Sequence, residues 1–201
     1  FFDLTLLAGQ ADSLNAVFDQ MLVRVMEVTH SRALCIHLLD AEGAALHLAG
    51  QQGLNAGDRQ ALRSVPLAAN FARWMKQVHD PLMTTSLPEL ALLPAPLRLA
   101  DHRTYLGAQI KAGSRTVGLL NCYRFTDRGY SIDEIALVTA LAGQLGIMLE
   151  SQRLRHEAEA LAVVQERQRL ARDLHDSVTQ SLYSLSLFSR ASREAVEDGD
   201  T

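Results

Sequence analysis

The sequence predicts an α+β domain followed by one long helix that pairs with a second copy of the chain. In the first 150 of 201 residues, two apolar hairpins and a short strand lie among helical segments. That order favours an antiparallel sheet with helices on one face. No proline interrupts residues 132–198, so the helix predicted there is too long to lie on one small domain.

The first helix and hairpin are predicted from the spacing of apolar residues. Residues 13–31 carry an apolar stripe at helical intervals. The stripe consists of Leu14, Val17, Phe18, Met21, Val25 and Val28. Apolar runs follow at 33–39 and 44–49, and the turn DAEG between them places a glycine where positive φ is favourable. We therefore expect a β-hairpin.

The middle of the domain is less regular. Residues 54–80 are predicted to form short helices and loops, and residues 80–90 a short edge strand that ends in a proline-broken loop. A second hairpin is predicted over 103–125. Ser131 and Glu134 have the spacing of a capping box, which predicts the start of the final helix.

The final helix is predicted to run from about Ile132 to about Asp198. Gly143 and Gly146 are its only interruptions, and Gly199 stands where a C-terminal cap belongs. Apolar residues recur along its second half at steps of three and four, with one gap at Arg167. They are Val164, Ala171, Leu174, Val178, Leu182, Leu185 and Phe188. This stripe predicts a parallel coiled coil or helical bundle in a homodimer.

Composition argues against several classes of protein. A formal net charge of −4 does not indicate a nucleic-acid-binding protein, and no apolar run is expected to span a bilayer. Cys35 and Cys122 lie in strand-like runs, so we expect buried, reduced thiols and a cytoplasmic location. Because the chain starts at Phe1, we expect a piece of a longer protein, with room for an upstream membrane segment.

One histidine in the long helix has neighbours suited to phosphoryl transfer. His175 follows Leu174 by one residue, so it points about 100° away from the apolar stripe and is expected to be exposed. Asp176 is expected to hold one imidazole N–H, which leaves the other nitrogen nucleophilic. Gln180 shares a helix face with Asp176, and an amide and a carboxylate so placed can align a water for phosphoryl hydrolysis.

The stretch ERQRLARDLHDSVTQSL, residues 166–182, resembles the H-box of bacterial sensor histidine kinases of the nitrate/nitrite-sensor type. Leu170 and Asp173 replace the isoleucine and the glutamate that are usual in that box. The resemblance implies that His175 is the phosphorylated residue and that the aspartate after it is its acid–base partner. It also implies that this aspartate and Gln180 form a phosphatase pair.

The same resemblance implies ATP and Mg²⁺ as cofactors of the full-length kinase and a response regulator as its phosphate-accepting partner. The ATP-binding domain is expected outside this chain, and no Walker-type or G-x-G-x-x-G loop occurs here. We therefore expect this chain alone neither to bind ATP nor to phosphorylate itself. Arg169 and Arg172 are expected to steer phosphate or to pair with Asp173 and Asp176.

Residues 105–149 are similar to the last hairpin and closing helix of GAF domains. This resemblance implies a sensor domain with a six-stranded antiparallel sheet backed by helices. The expected organisation is a linker and helix start at 1–13, a GAF domain at 14–150, a connecting helix at 151–163, and the first helix of the dimerisation and histidine-phosphotransfer domain at 164–201.

The ligand of the sensor domain stays open. The candidate lining of its pocket is Phe71, Trp74, Met83 and Tyr105. A bilin requires an exposed cysteine, the cyclic-nucleotide motif of the family is not visible, and no metal site is predicted. Haem requires a well-placed imidazole. The histidines that are candidates by position are His37, His47, His79 and His102.

Two other functions are compatible with the pattern at this stage. One is a GAF binding and dimerisation module without kinase activity, against which the intact His175, Asp176 and Gln180 argue. The other is a GAF-type methionine sulfoxide reductase. That enzyme needs catalytic cysteines in a shared pocket, which two strand cysteines do not provide.

Overall fold

A computed structural model of the chain describes residues 11–78, 80–86 and 90–197. The chain forms two compact units, Phe1–Gln152 and Arg153–Thr201. The helices are α1 (Ala11–Thr29), α2 (Ala56–Leu62), α3 (Ala69–Gln77) and α4 (Ile132–Glu197), with a 3-10 turn at Ala95–Leu97. The strands are β1 (Ala33–Leu39), β2 (Ala45–Gln52), β3 (Ser64–Pro66), β4 (Leu82–Thr84), β5 (Thr104–Ala112) and β6 (Arg115–Arg124).

The strands form one antiparallel sheet in the order β3-β2-β1-β6-β5-β4. Both predicted hairpins are confirmed, as β1 with β2 and β5 with β6, and β4 is the predicted short edge strand. Strand β3 lies where only short helices and loops are expected. Three residues carry no strand pattern, and β3 is defined by its pairing with β2, in which Leu46 lies opposite Val65.

Helices and connecting segments cover both faces of the sheet, which corrects the expectation of helices on one face. Alternate residues of β1 belong to two separate cores. Leu34 and Ile36 pack with α1 and α4, whereas Ala33 and Cys35 pack with α2, α3 and the 3-10 turn. The second layer, formed by α2, α3 and the 3-10 turn, consists of short elements. Their apolar residues pack together against the sheet only in the folded domain.

The predicted stripe of α1 is partly confirmed. Phe18 and Val25 are buried, and Met21 packs against the same core. Val28 is 57% exposed, because Thr29 takes the buried position one residue later and bonds the carbonyl of Val25. The remaining members, Leu14 and Val17, lie outside the described side chains.

The capping box at the start of α4 is confirmed. The backbone N–H of Ser131 donates to a carboxylate oxygen of Glu134 at 2.7 Å, and the N–H of Glu134 donates to the hydroxyl of Ser131 at 3.2 Å. The predicted continuous helix follows, as far as Glu197. The expected cap at Gly199 lies outside the described residues.

One described helix, α4, contains an 18-residue stretch that is long and apolar enough to be a candidate membrane span, contrary to the expectation that no run is. A third of that stretch is buried within the fold. A helix buried in the core of a protein can have the same length and apolar composition as a membrane span. Three residues of α4, Val138, Ala142 and Leu145, are fully buried in the first core. The composition of α4 is therefore weak evidence for a span.

Two glycines in α4 have contrasting surroundings. A Cβ at Gly146 would lie 1.9 Å from the carbonyl oxygen of Lys111 at the end of β5, so only glycine allows the helix to approach the sheet this closely. A Cβ at Gly143 would meet no atom within 4 Å. Close packing thus requires glycine at position 146 but not at position 143.

We predict that Gly146→Ala lowers the free energy of unfolding by about 1–3 kcal/mol, because the new methyl group must displace helix or strand backbone. The matched substitution Gly143→Ala is expected to raise it by about 0.5–1 kcal/mol, because alanine has the higher helix propensity. Urea denaturation followed by circular dichroism measures both. Equal effects of the two substitutions would contradict the close packing at Gly146.

Candidate functional site

The predicted phosphoacceptor segment, residues 166–182, lies within the continuous helix α4. Every side chain of this segment is exposed in the single chain. His175 is therefore an exposed imidazole on an uninterrupted helix, as predicted. An exposed imidazole is accessible to a phosphate donor and to a partner protein.

The neighbours of His175 follow from helix geometry. At about 100° per residue, Arg172 and Thr179 lie within about 60° of the histidine around the helix axis. Asp176 and Gln180 lie close together, farther from the apolar stripe. In the described part of the chain, no hydrogen bond joins His175 to Asp176, so the activation of the imidazole by this aspartate stays a prediction.

The two arginines of the segment differ in their partners. Arg169 donates to both carboxylate oxygens of Glu166, at 2.9 and 2.7 Å, and to Asp173 at 3.1 Å. The hydrogen bond from Arg169 lowers the pKa of Glu166. Among the described residues, Arg172 forms no ion pair. Arg169 thus stabilises the helix by pairs along its surface, while the guanidinium of Arg172 is available to an external anion.

The apolar stripe beside the histidine is uncovered in the single chain. Six large side chains of the stripe are between 51% and 73% exposed, and Ala171 is exposed too. These members are Val164, Leu174, Val178, Leu182, Leu185 and Phe188. A row of large apolar side chains along one helix is typical of a helix-pairing surface.

The α+β part of the chain contains a buried polar cluster, which the sequence pattern did not predict. The Nε2–H of His37 donates to the carbonyl of Leu62 at 2.9 Å, and the side-chain amide of Asn121 donates to Nδ1 of His37 at 3.1 Å. The hydroxyl of Tyr105 donates to the amide oxygen of Asn121 at 2.8 Å. Burial lowers the pKa of His37 to about 4, against the opposing effect of the bond to Leu62. His37 is therefore neutral, with its proton on Nε2.

The other haem candidates have different surroundings. His47 lies 3.9 Å from the carboxylate of Asp40. His102 packs edge-on against Tyr123, and burial lowers its pKa. His79 lies outside the described residues. No group of three or more histidine, cysteine, aspartate or glutamate side chains that could hold a metal occurs in the described residues.

The two cysteines lie in the cores, as expected. Cys35 and Cys122 are fully buried free thiols. Burial raises the pKa of both thiols far above the ordinary value, so neither forms a thiolate at neutral pH. Covalent attachment of a bilin and thiol-based reduction of a sulfoxide both require an accessible thiol, and these two are not accessible.

The four residues expected to line a ligand pocket do not line one groove together. Phe71, Trp74 and Tyr105 are packed in the second core, and Met83 is 41% exposed on the edge strand β4. None of them lines a groove of about 490 Å³ that opens between α3 and the turns of the two hairpins. This groove was not predicted, because its walls come from three separate parts of the sequence, at residues 39–43, 67–76 and 114–117.

Two family models match separate parts of the chain. A model of the GAF domain family matches residues 11–150, and a model described as histidine kinase matches residues 166–201. The sensor histidine kinase YhcY of Bacillus subtilis is 35% identical over 89 residues, which are 44% of this chain and 24% of YhcY. The sensor histidine kinase LiaS of the same organism is 44% identical over 54 residues, 26% of this chain and 15% of LiaS.

Structural comparison supports the fold of the first unit. A GAF domain/HD domain protein from Geobacter sulfurreducens superposes with a TM-score of 0.61 at 20% identity. The match covers 70% of this chain and 94% of that one. At this level of identity the likeness shows the fold alone.

We predict that stability falls as pH is lowered from about 6.5 to about 4, because unfolded His37 binds a proton in this window and folded His37 does not. The full effect is about 3 kcal/mol. Urea midpoints at pH 7, 5.5 and 4 span this window. His37→Gln keeps a donor for Leu62 but does not titrate, so its stability should depend less on pH. An equal pH dependence of both proteins would contradict the buried neutral imidazole.

Proposed function

The chain belongs to the GAF domain family over most of its length, and on this premise we propose that it is the sensor and phosphoacceptor part of a two-component histidine kinase. One observation carries the proposal: His175 is exposed on a continuous helix, within the segment that matches histidine kinases and lies C-terminal to the GAF domain. The imidazole is the acceptor, and the GAF domain controls its use.

In the proposed reaction, the unprotonated imidazole nitrogen of His175 attacks the γ-phosphorus of ATP. An N–P bond forms, the bond between that phosphorus and the bridging oxygen breaks, and ADP leaves. The carboxylate of Asp176 holds the proton on the other ring nitrogen and so keeps the attacking nitrogen nucleophilic. The phosphoryl group then passes to an aspartate of a response regulator, and the neutral imidazole is restored.

Asp176 and Gln180 have a second proposed role, in removing phosphate from the response regulator. Their side chains lie on one helix face, where an amide and a carboxylate can orient a water for attack on the acyl phosphate. Arg172 is proposed to steer phosphate, since it has no ion-pair partner among the described residues. Arg169 shares this role to a lesser extent, because Glu166 and Asp173 already neutralise it.

The whole protein is proposed to be longer and cytoplasmic in this region. The chain spans 24% and 15% of the lengths of the two Bacillus kinases that it matches. A separate domain of the longer protein is proposed to bind ATP and Mg²⁺ and to supply the phosphoryl group. Two chains are proposed to pair in parallel through the apolar stripe of α4, which brings two acceptor histidines into one assembly.

In a protein that includes the ATP-binding domain, we predict that His175→Gln abolishes labelling from γ-phosphate-labelled ATP. The wild-type label should be labile in acid and stable in alkali, as expected for an N–P bond. Asp176→Asn should slow labelling by about 10²–10⁴-fold, because the acid–base partner is lost. Gln180→Ala should leave labelling intact and slow dephosphorylation of the response regulator.

His156→Gln is the matched control for the acceptor, since it removes another imidazole from the same helix. It should leave labelling unchanged. Persistent label in the His175→Gln protein would show that another residue is the acceptor and would overturn the proposed function.

We predict that the 201-residue chain is dimeric at tens of micromolar and that Leu174→Asp or Leu182→Asp shifts it to monomer. The introduced carboxylate would have to be buried in the apolar stripe, which is unfavourable without a partner. Light scattering measures the mass, and circular dichroism checks that the helix persists. Leu187→Asp, which makes the same substitution on the face of α4 opposite the stripe, should stay dimeric. A monomeric wild-type chain would refute pairing through this surface.

A further inference from the structure

The groove between α3 and the hairpin turns has the form of a small-molecule site. Its volume is about 490 Å³, within the range of ligand pockets in proteins. It lies at one end of the sheet: the turn after β1 and the turn before β6 form two walls, and α3 forms a third. Four apolar side chains line it: Leu39 at the end of β1, Leu67 in the segment before α3, Met75 in α3 and Val117 in β6.

Hydrogen bonds hold the walls of the groove in place. The carboxylate of Asp40 accepts from the backbone N–H of Ala44 at 2.8 Å and of Ala45 at 3.1 Å, which fixes the turn after β1. The hydroxyl of Thr116 donates to the carbonyl of Met75 at 2.9 Å and ties β6 to α3. The groove is therefore preformed, so a ligand would not have to order its walls.

Charges of both signs line the groove without neutralising each other. Lys76 and Arg115 are positive, and Asp40 and Glu42 are negative. Among the described residues, no ion pair joins a cation of this set to an anion of it. Burial acts to raise the pKa of Asp40, but hydrogen bonds from the N–H groups of the turn outweigh this effect and lower it. The carboxylate is therefore ionised at neutral pH.

We propose that this groove binds a small zwitterion with an apolar body, of the amino-acid class. The carboxylate of the ligand would pair with Lys76 and Arg115, and its ammonium group with Asp40 and Glu42. The apolar body would lie on Leu39, Leu67, Met75 and Val117. A simple anion or a hydrocarbon would make only some of these contacts. The residues of this site are not those of the phosphoacceptor segment. If the chain is the proposed sensor, the ligand of this groove is its signal.

Isothermal titration of the 201-residue chain with three matched probes tests the ligand class. Phenylalanine carries both charges, 3-phenylpropanoate lacks the ammonium group, and 2-phenylethylamine lacks the carboxylate. We expect phenylalanine to bind at least about tenfold more tightly than either single-charge probe. The reason is that loss of one charge-assisted contact raises the dissociation constant about tenfold. Equal binding of phenylalanine and 3-phenylpropanoate would overturn the zwitterion, and no phenylalanine binding up to its solubility limit would overturn the site.

Substitutions locate the binding. Lys76→Gln and Arg115→Gln should weaken both phenylalanine and 3-phenylpropanoate. Glu42→Gln should weaken phenylalanine and leave 3-phenylpropanoate unchanged. Arg73→Gln, which removes an exposed cation from the same helix outside the groove, is the control and should change neither. If Lys76→Gln and Arg115→Gln match the control, the ligand binds elsewhere and the proposal fails.

The test is independent of phosphoryl transfer. Binding is measured without ATP, and His175→Gln should bind phenylalanine as the wild type does. A chain that binds the zwitterion but never accepts phosphate would contradict the proposed function alone. A chain that accepts phosphate but binds none of the three probes would contradict this inference alone.

Discussion

One buried guanidinium joins the segments that meet at the start of the long helix. Arg124, at the end of β6, donates to the carbonyl of Thr29 at the end of α1 and, at 2.9 Å, to the carbonyl of Gly129 in the following loop. It also pairs with the carboxylate of Glu134 at 2.5 Å and lies 3.9 Å from the centre of the Tyr130 ring. A buried charge is costly unless every donor is satisfied. The end of α1, the last strand and the first turn of α4 are therefore held at a common point.

This cluster also explains why the helix begins where it does. Glu134 pairs with Arg124 through one carboxylate oxygen and accepts the N–H of Ser131 through the other. Burial acts to raise the pKa of Glu134, but the hydrogen bonds from Ser131 and Arg124 lower it overall. The same carboxylate thus completes the cap and neutralises the buried cation. A change in the sheet that moves Arg124 would act directly on the first turn of the helix that carries His175.

The sequence predicted those features that are encoded locally. The capping box at Ser131, the two hairpins and the exposed position of His175 each depend on residues that are close together in the sequence. Strand β3, the second layer and the groove could not be predicted in this way, because each depends on contacts between distant segments. The aromatic candidates Phe71, Trp74 and Tyr105 show the same limit: an apolar pattern marks residues that avoid water but does not distinguish a packed core from a pocket wall.

The burial of both cysteines makes the chain suitable for site-directed labelling. Cys35 and Cys122 are the only two thiols in the sequence, and both are fully enclosed, with the pKa raised by burial. A maleimide or methanethiosulfonate reagent reacts with an accessible thiolate, so the folded wild-type chain supplies almost no background. A single cysteine introduced on the exposed part of α4 would carry a spin label or fluorophore without removal of the native residues. Distances between two such probes would then report the spacing of helices in an assembled pair.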